Sequence, residues 1–200
     1  PMLRLRYIAF LLFILIKSNT HLSAVPILNT IKREYWVDSV MNTLSTRDRI
    51  AQLFMVACYP SLGPKYVDRI VNHIEQDKIG GLLFSVGHPV QIAQMINYFQ
   101  TISEVPMLMS IDGEWGVAMR VDSTPRFPRQ MALGAIRDNK LIYDMGAEVA
   151  KQCTALGIQL HFAPVLDINN NPDHPVINTR SFGDNKYTVA AKGAASMPVM

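Results

Sequence analysis

Four short apolar runs, each followed by a longer stretch of helical periodicity, restrict this chain to one kind of architecture. The runs are 53–57 (Leu-Phe-Met-Val-Ala), 81–86 (Gly-Leu-Leu-Phe-Ser-Val), 107–111 (Met-Leu-Met-Ser-Ile) and 158–165 (Ile-Gln-Leu-His-Phe-Ala-Pro-Val). Most of them lack polar alternation, which suits strands buried on both faces inside a helix-covered parallel sheet. After the first run, Tyr66, Ile70, Val71 and Ile74 share one side of a helix that Gly80 and Gly81 end. Pro89 opens the next helix, with Ile92, Met95, Ile96, Phe99 and Ile102 facing inward. Asp138 caps a third, whose stripe is Leu141, Ile142, Met145, Val149, Cys153 and Leu156, closed by Gly157. Another helix starts near Asn185. Upstream, Trp36, Val37, Val40, Met41 and Leu44 have helical spacing, and Ser45 with Asp48 forms a capping box.

Strand and helix in strict alternation predict an α/β fold with parallel strands joined by right-handed crossovers. No Gly-x-Gly-x-x-Gly follows the first run, and no Lys-bearing phosphate loop occurs, so the nucleotide-binding version lacks its signature. The remaining candidate is the (β/α)8 TIM-barrel type. A complete barrel takes about 250 residues. The 200 present predict an incomplete barrel of about four βα units, the N-terminal part, over 25–200.

Hydrophobic residues make up 49% and charged ones 18%, which excludes disorder. The net charge of +3 suggests a polyanionic partner only until its source is located. Arg4, Arg6 and Lys17 supply three positive charges before residue 25, no acid accompanies them, and the remainder is neutral. Nucleic acid is thereby excluded as a partner. Arg4 and Arg6, the apolar run 7–16 and the small, polar stretch 18–24 predict a signal peptide over 1–24 and a secreted, bacterial periplasmic protein starting near Val25. The run is shorter than the roughly 20 residues that span a bilayer, and an uncleaved anchor is the alternative. Cys58 and Cys153 are expected to be free buried thiols, and neither has metal-ligand spacing with a histidine.

Asp112 is the first residue out of the third run and enters a turn with Gly113, Glu114, Trp115 and Gly116. A carboxylate at a strand's carboxyl end can accept hydrogen bonds from neighbouring sugar hydroxyls, and an indole offers an apolar face for the ring. Alternatively, Asp112 caps the turn and Trp115 is core. The loops that follow carry Arg120, Arg126 and, past the fourth run, Asp167, Asn169, Asn170, Asn171, Arg180 and Asp184. Their arginines suit ring hydroxyls or a carboxylate. Arg180 could instead pair with Asp167 or Asp184 to hold its loop.

Five ordered blocks carry a resemblance. Ile-Asp-Gly-Glu-Trp-Gly from Ile111 with Arg120, Phe127-Pro128 with Met131-Ala-Leu-Gly-Ala135, Phe162-Ala-Pro-Val-Leu-Asp167, Asn171-Pro172 and Arg180-Ser-Phe-Gly183 resemble the amino-terminal barrel of glycoside hydrolase family 3, most closely its bacterial β-N-acetylhexosaminidase branch. The resemblance implies a retaining exo-glycosidase that removes β-linked N-acetylglucosamine from cell-wall or chitin oligosaccharides, without metal or organic cofactor. It assigns sugar binding to Asp112, Arg120 and Arg180, with Glu114, Trp115 and Asp167 as further pocket lining.

Departures are equally informative. The family's Gln-Glu-Gly-Gly-Arg after the strand-three Asp is here Gly113-Glu114-Trp115-Gly116-Val117. Its Lys-His-Phe-Pro-Gly-His-Gly block, its Asp-Ser-His segment and its nucleophilic Asp are absent, so no catalytic residue is expected in this chain. His161, inside the fourth run, is expected to be a satisfied core residue. Pro198 would break a helix that the barrel needs, which gives the expectation of a truncated frame, inactive alone, whose partner is the missing half of the barrel. The alternatives are a family 3 β-glucosidase, favoured by Asp112-Gly113 and Gly116-Val117, and a non-catalytic half barrel that binds sugar or self-associates.

Overall fold

The computed structural model describes residues 27–197, with side chains from Glu34 onward. The predicted signal peptide and Pro198 lie outside the described residues. Among the described residues, no helix is long and apolar enough to cross a membrane. Helix α1 (Ile27–Thr43) forms one unit, and everything from Leu44 onward forms a second.

In the second unit, α2 (Thr46–Ala51) starts on the predicted capping box: Ser45 accepts from the Asp48 amide and Asp48 accepts from the Ser45 amide. Strand β1 (Met55–Cys58) begins two residues later than the apolar run suggests. The amides of Leu53 and Phe54 donate to Ile50 and Ala51, so both residues belong to the end of α2 and stay exposed. A 3-10 turn (Pro60–Leu62) leads to α3 (Pro64–Asn72) and a wide terminal turn (His73–Asp77). Lys78 ends that turn in left-handed backbone, where the sequence suggests Gly80-Gly81. Gly80 has another reason to be glycine: a Cβ there would lie 1.9 Å from the Gln52 carbonyl oxygen.

The sheet continues with β2 (Gly81–Phe84), α4 (Pro89–Ile102), β3 (Leu108–Ile111), α5 (Gln130–Gly134), α6 (Asn139–Leu156), β4 (Leu160–His161) and α7 (Lys186–Ala195). Order is β1-β2-β3-β4, all parallel. β4 is far shorter than the run 158–165. The Phe162 amide still donates to Ile111, but Ala163 turns back onto the His161 carbonyl, and Pro164 has no N–H to give. β2 likewise stops at Phe84, before Val86 turns left-handed.

Registers pair Cys58 with Phe84, Phe84 with Ile111, and Ile111 with His161. The four strands therefore end level, and the loops that leave them share one mouth. Leu82, Phe84, Met109 and Ile111 pack fully buried in one cluster with Ile70, Ile92, Ile96, Phe99 and Cys153 from the helices. The sequence suggests burial on both faces, yet Leu108 is 54% and Leu160 37% exposed, on the side that a closed barrel turns to its axis. On α6 the buried stripe runs Ile142, Gly146, Val149, Cys153, Leu156, and Leu141, one position from its centre, is exposed. A second cluster, Leu133, Ile142, Phe182 and Val189, joins α5, α6 and α7 to the loop after β4. Lys192, 4% exposed, fastens α7 there by donating to the Ile136 carbonyl and, at 2.8 Å, to Asn139 Oδ1.

Candidate functional site

Ile111 ends β3 level with its neighbours, so Asp112 is delivered to the mouth by a strand held on both edges. A tight turn follows, with the Gly116 amide on the Gly113 carbonyl at 2.7 Å. Gly116 has φ 95°, and a Cβ on it would lie 2.8 Å from the Phe127 ring, so two requirements demand glycine there. The 3-10 turn Val117–Met119 brings the chain back, and Arg120 closes onto its own starting point. Its Nε donates to the Asp112 carbonyl at 2.9 Å and its guanidinium pairs with the Asp112 carboxylate. Both side chains keep about a third of their surface, 34% for Asp112 and 29% for Arg120, so a ligand can reach them.

Glu114, by contrast, is buried, at 8% exposed. Its carboxylate takes a fork from Arg180: Nε donates at 2.8 and 3.0 Å, and the terminal nitrogen at 2.6 Å. That guanidinium arrives from the loop after β4, at the end of a 3-10 turn (Asn178–Arg180). Ser181 cinches the loop by donating to the Asp167 carbonyl at 2.5 Å, and the Asn169 amide donates to Gly183. The Glu114 hydrogen bonds raise the Arg180 pKa above its ordinary value, against the desolvation that lowers it, and the charges of Glu114, Asp112 and Asp167 add to the rise. Arg180 therefore lies within the field of three carboxylates.

Two more side chains hold the turn from behind. His161 Nε2 lies 2.9 Å from the Gly113 carbonyl oxygen, and Gln130 Nε2 donates to the Glu114 carbonyl at 2.6 Å. Burial depresses the His161 pKa, partly opposed by that Gly113 contact and by the Asp112 charge. The ring is neutral at pH 7, and with a carbonyl as its partner Nε2 carries the proton. Beneath lies a mostly apolar cavity of about 250 Å³, lined by Leu133, Val149, Cys153, Ile158 and Phe182, with Glu114 and His161 at its wall. The thiols are free, and burial pushes Cys153 up to about 11 and Cys58 to about 12, which leaves both unreactive at neutral pH.

The structure thus brings Asp112, Arg120, Glu114 and Arg180 together, with the exposed Asp167 in electrostatic reach. Of the alternatives open in the sequence, Arg180 pairs with Glu114 rather than with Asp167 or Asp184. Trp115 is half-buried, and the Arg129 guanidinium lies 4.7 Å from its ring centroid while donating to Thr179 Oγ1 at 3.1 Å, which covers one face of the indole. His161 is half-buried rather than a core residue, and its ring braces the turn through the Gly113 carbonyl, a role legible only from its pairing with Ile111. Gln130 and Arg129 carried no signal of their own.

Comparison with known proteins now adds to this geometry. Residues 45–200 match the Glycosyl hydrolase family 3 N terminal domain. The chain belongs to glycoside hydrolase family 3. A β-N-acetylglucosaminidase/β-glucosidase of Cellulomonas fimi is 29% identical over 159 residues, which are 80% of this chain and 28% of the relative. Among solved structures, a family 3 β-N-acetylglucosaminidase from Paenibacillus sp. is 34% identical with a TM-score of 0.69, covering 76% of this chain and 30% of that one. The β-glucoside phosphorylase BglX, at 19% identity, has a TM-score of 0.73 over 81% of this chain and 29% of its own, a likeness of fold. The fold is therefore of the family's (β/α)8 type, with four parallel strands present. The chain spans less than a third of these relatives.

Within the family, the group around Asp112 is suited to a neutral, hydroxyl-rich ring. A carboxylate accepts from adjacent hydroxyls, guanidinium groups donate to others, and the paired charges need no charged ligand.

Proposed function

We propose that this chain carries the sugar-holding half of a β-N-acetylhexosaminidase site, with Asp112, Arg120 and Arg180 binding a terminal β-linked N-acetylglucosamine. The observation that carries this reading is the arrival of Asp112 and Arg120 from one loop and Arg180 from another at a single mouth, with Arg180 paired to Glu114, two residues past Asp112. Hydrogen bonds to ring hydroxyls that shorten as the ring flattens toward an oxocarbenium-like state favour that state over the ground state. The residues that the family resemblance assigns to attack on the anomeric carbon and to protonation of the leaving oxygen have no counterpart in these 200 residues. The chain by itself accordingly binds sugar and does not cleave it.

Isothermal titration with an N-acetylglucosamine-type and a glucose-type iminosugar tests this. The first binds more tightly, and Asp112→Asn removes binding. Tighter binding of the glucose type would favour the second reading, a β-glucosidase, for which Asp112-Gly113, Gly116-Val117 and the double name of the Cellulomonas fimi relative speak. Release of a chromogenic aglycone from an N-acetylglucosaminide would contradict the absence of turnover. Export through residues 1–24 belongs to the same proposal, and N-terminal sequencing of the secreted protein should begin near Val25.

A further inference from the structure

Among the described residues with positive φ, Val86 is the only β-branched one: its φ is 42°, and the others are Lys78, Ser123, Asn178 and glycines. A branched side chain in left-handed backbone is strained. The conformation is enforced from both sides. The Ser85 amide donates to the Cys58 carbonyl at 2.9 Å, which keeps residue 85 in the sheet. Gly87 donates to the Arg120 carbonyl at 3.2 Å and accepts from the Asp122 amide at 3.0 Å, which stitches residue 87 to the loop after β3. Only residue 86 is left to absorb the bend.

Position makes the strain informative. Phe84 pairs with Ile111, so Val86 lies beside the turn that starts at Asp112, one residue from the amide bound to Arg120. Val86 is 48% exposed and belongs to neither apolar cluster. A strained, exposed, branched apolar residue that the core does not use points to a role at the mouth.

We propose that Val86 is a ligand-contacting residue of the sugar site, its isopropyl group packing against the apolar C–H face of the ring whose hydroxyls Asp112 and Arg120 hold. Pockets for sugars combine a few polar groups with such apolar surface. The inference rests on the sugar-binding reading of Asp112, Arg120 and Arg180.

Val86→Asn and Val86→Gly test it, because both residues tolerate left-handed backbone. Val86→Asn should raise the thermal midpoint by about 2–4 °C, and Val86→Gly should not lower it. Both should lose about three- to tenfold in affinity for the N-acetylglucosamine-type iminosugar, whereas Val86→Ile keeps it. A residue that serves only the fold would not gain stability while losing affinity. Wild-type affinity in both variants, in a protein whose binding Asp112→Asn abolishes, would overturn this inference alone, as would a lowered midpoint in Val86→Asn. Failure of the unsubstituted protein to bind would overturn the sugar reading and this inference with it.

Discussion

At the scale of single residues, the site is a set of side chains that hold one another before any ligand arrives. Glu114 illustrates the division of labour: Asp112 keeps a third of its side chain open, while Glu114, 7% open, is committed to Arg180. Glu114→Gln keeps the shape but removes the charge that grips the fork. A charge-assisted pair with one buried partner and one part-exposed partner contributes about 1.5 kcal/mol, so urea unfolding should show a loss of that order, together with weaker iminosugar binding as Arg180 loses its fixed direction. His161 gives a dependence on pH. Its folded pKa lies below the ordinary 6.5, so between the two values the unfolded chain binds more protons. Stability is complete above about pH 6.5 and is lost as pH falls through the folded value. Thermal midpoints measured from pH 7.5 down to 5 should decline, and His161→Gln, which retains a donor but does not titrate, should decline less.

At the scale of elements, the loop after β4 is placed by contact with α5, and the contact is tight. A Cβ on Gly134 would lie 1.8 Å from the Phe182 carbonyl oxygen, which is backbone and cannot swing away. Gly134→Ala should therefore cost about 3 kcal/mol or more, visible as a large drop in thermal midpoint, and should weaken sugar binding because Phe182 follows Arg180 by two residues. Such contacts mark the limit of what the sequence discloses. Helix α6 was legible from Asp138 to Gly157, and the capping box at Ser45 was legible too, because caps and periodicity are local. Strand ends were not. Leu53 and Phe54 look like strand, but their amides are spent on α2, and the run 158–165 fades after His161 for want of amides to pair. That Asp112, Arg120 and Arg180 lie in loops leaving one mouth of the sheet was readable, whereas the Glu114–Arg180 partnership, between residues far apart in the chain, required the sheet register.

At the scale of the whole molecule, four level strands bring the loops that follow them to one mouth. Asp112, Arg120 and Arg180 either act on one ligand or merely brace their loops, and the two accounts diverge when sugar is added. The most direct test is amide and arginine Nε–H chemical-shift mapping of the isotopically labelled protein during titration with an N-acetylglucosamine-type iminosugar. Saturable shifts centred on Asp112, Gly113 and the Nε–H signals of Arg120 and Arg180 are predicted. Shifts confined to another face, or none at millimolar sugar, would contradict the account.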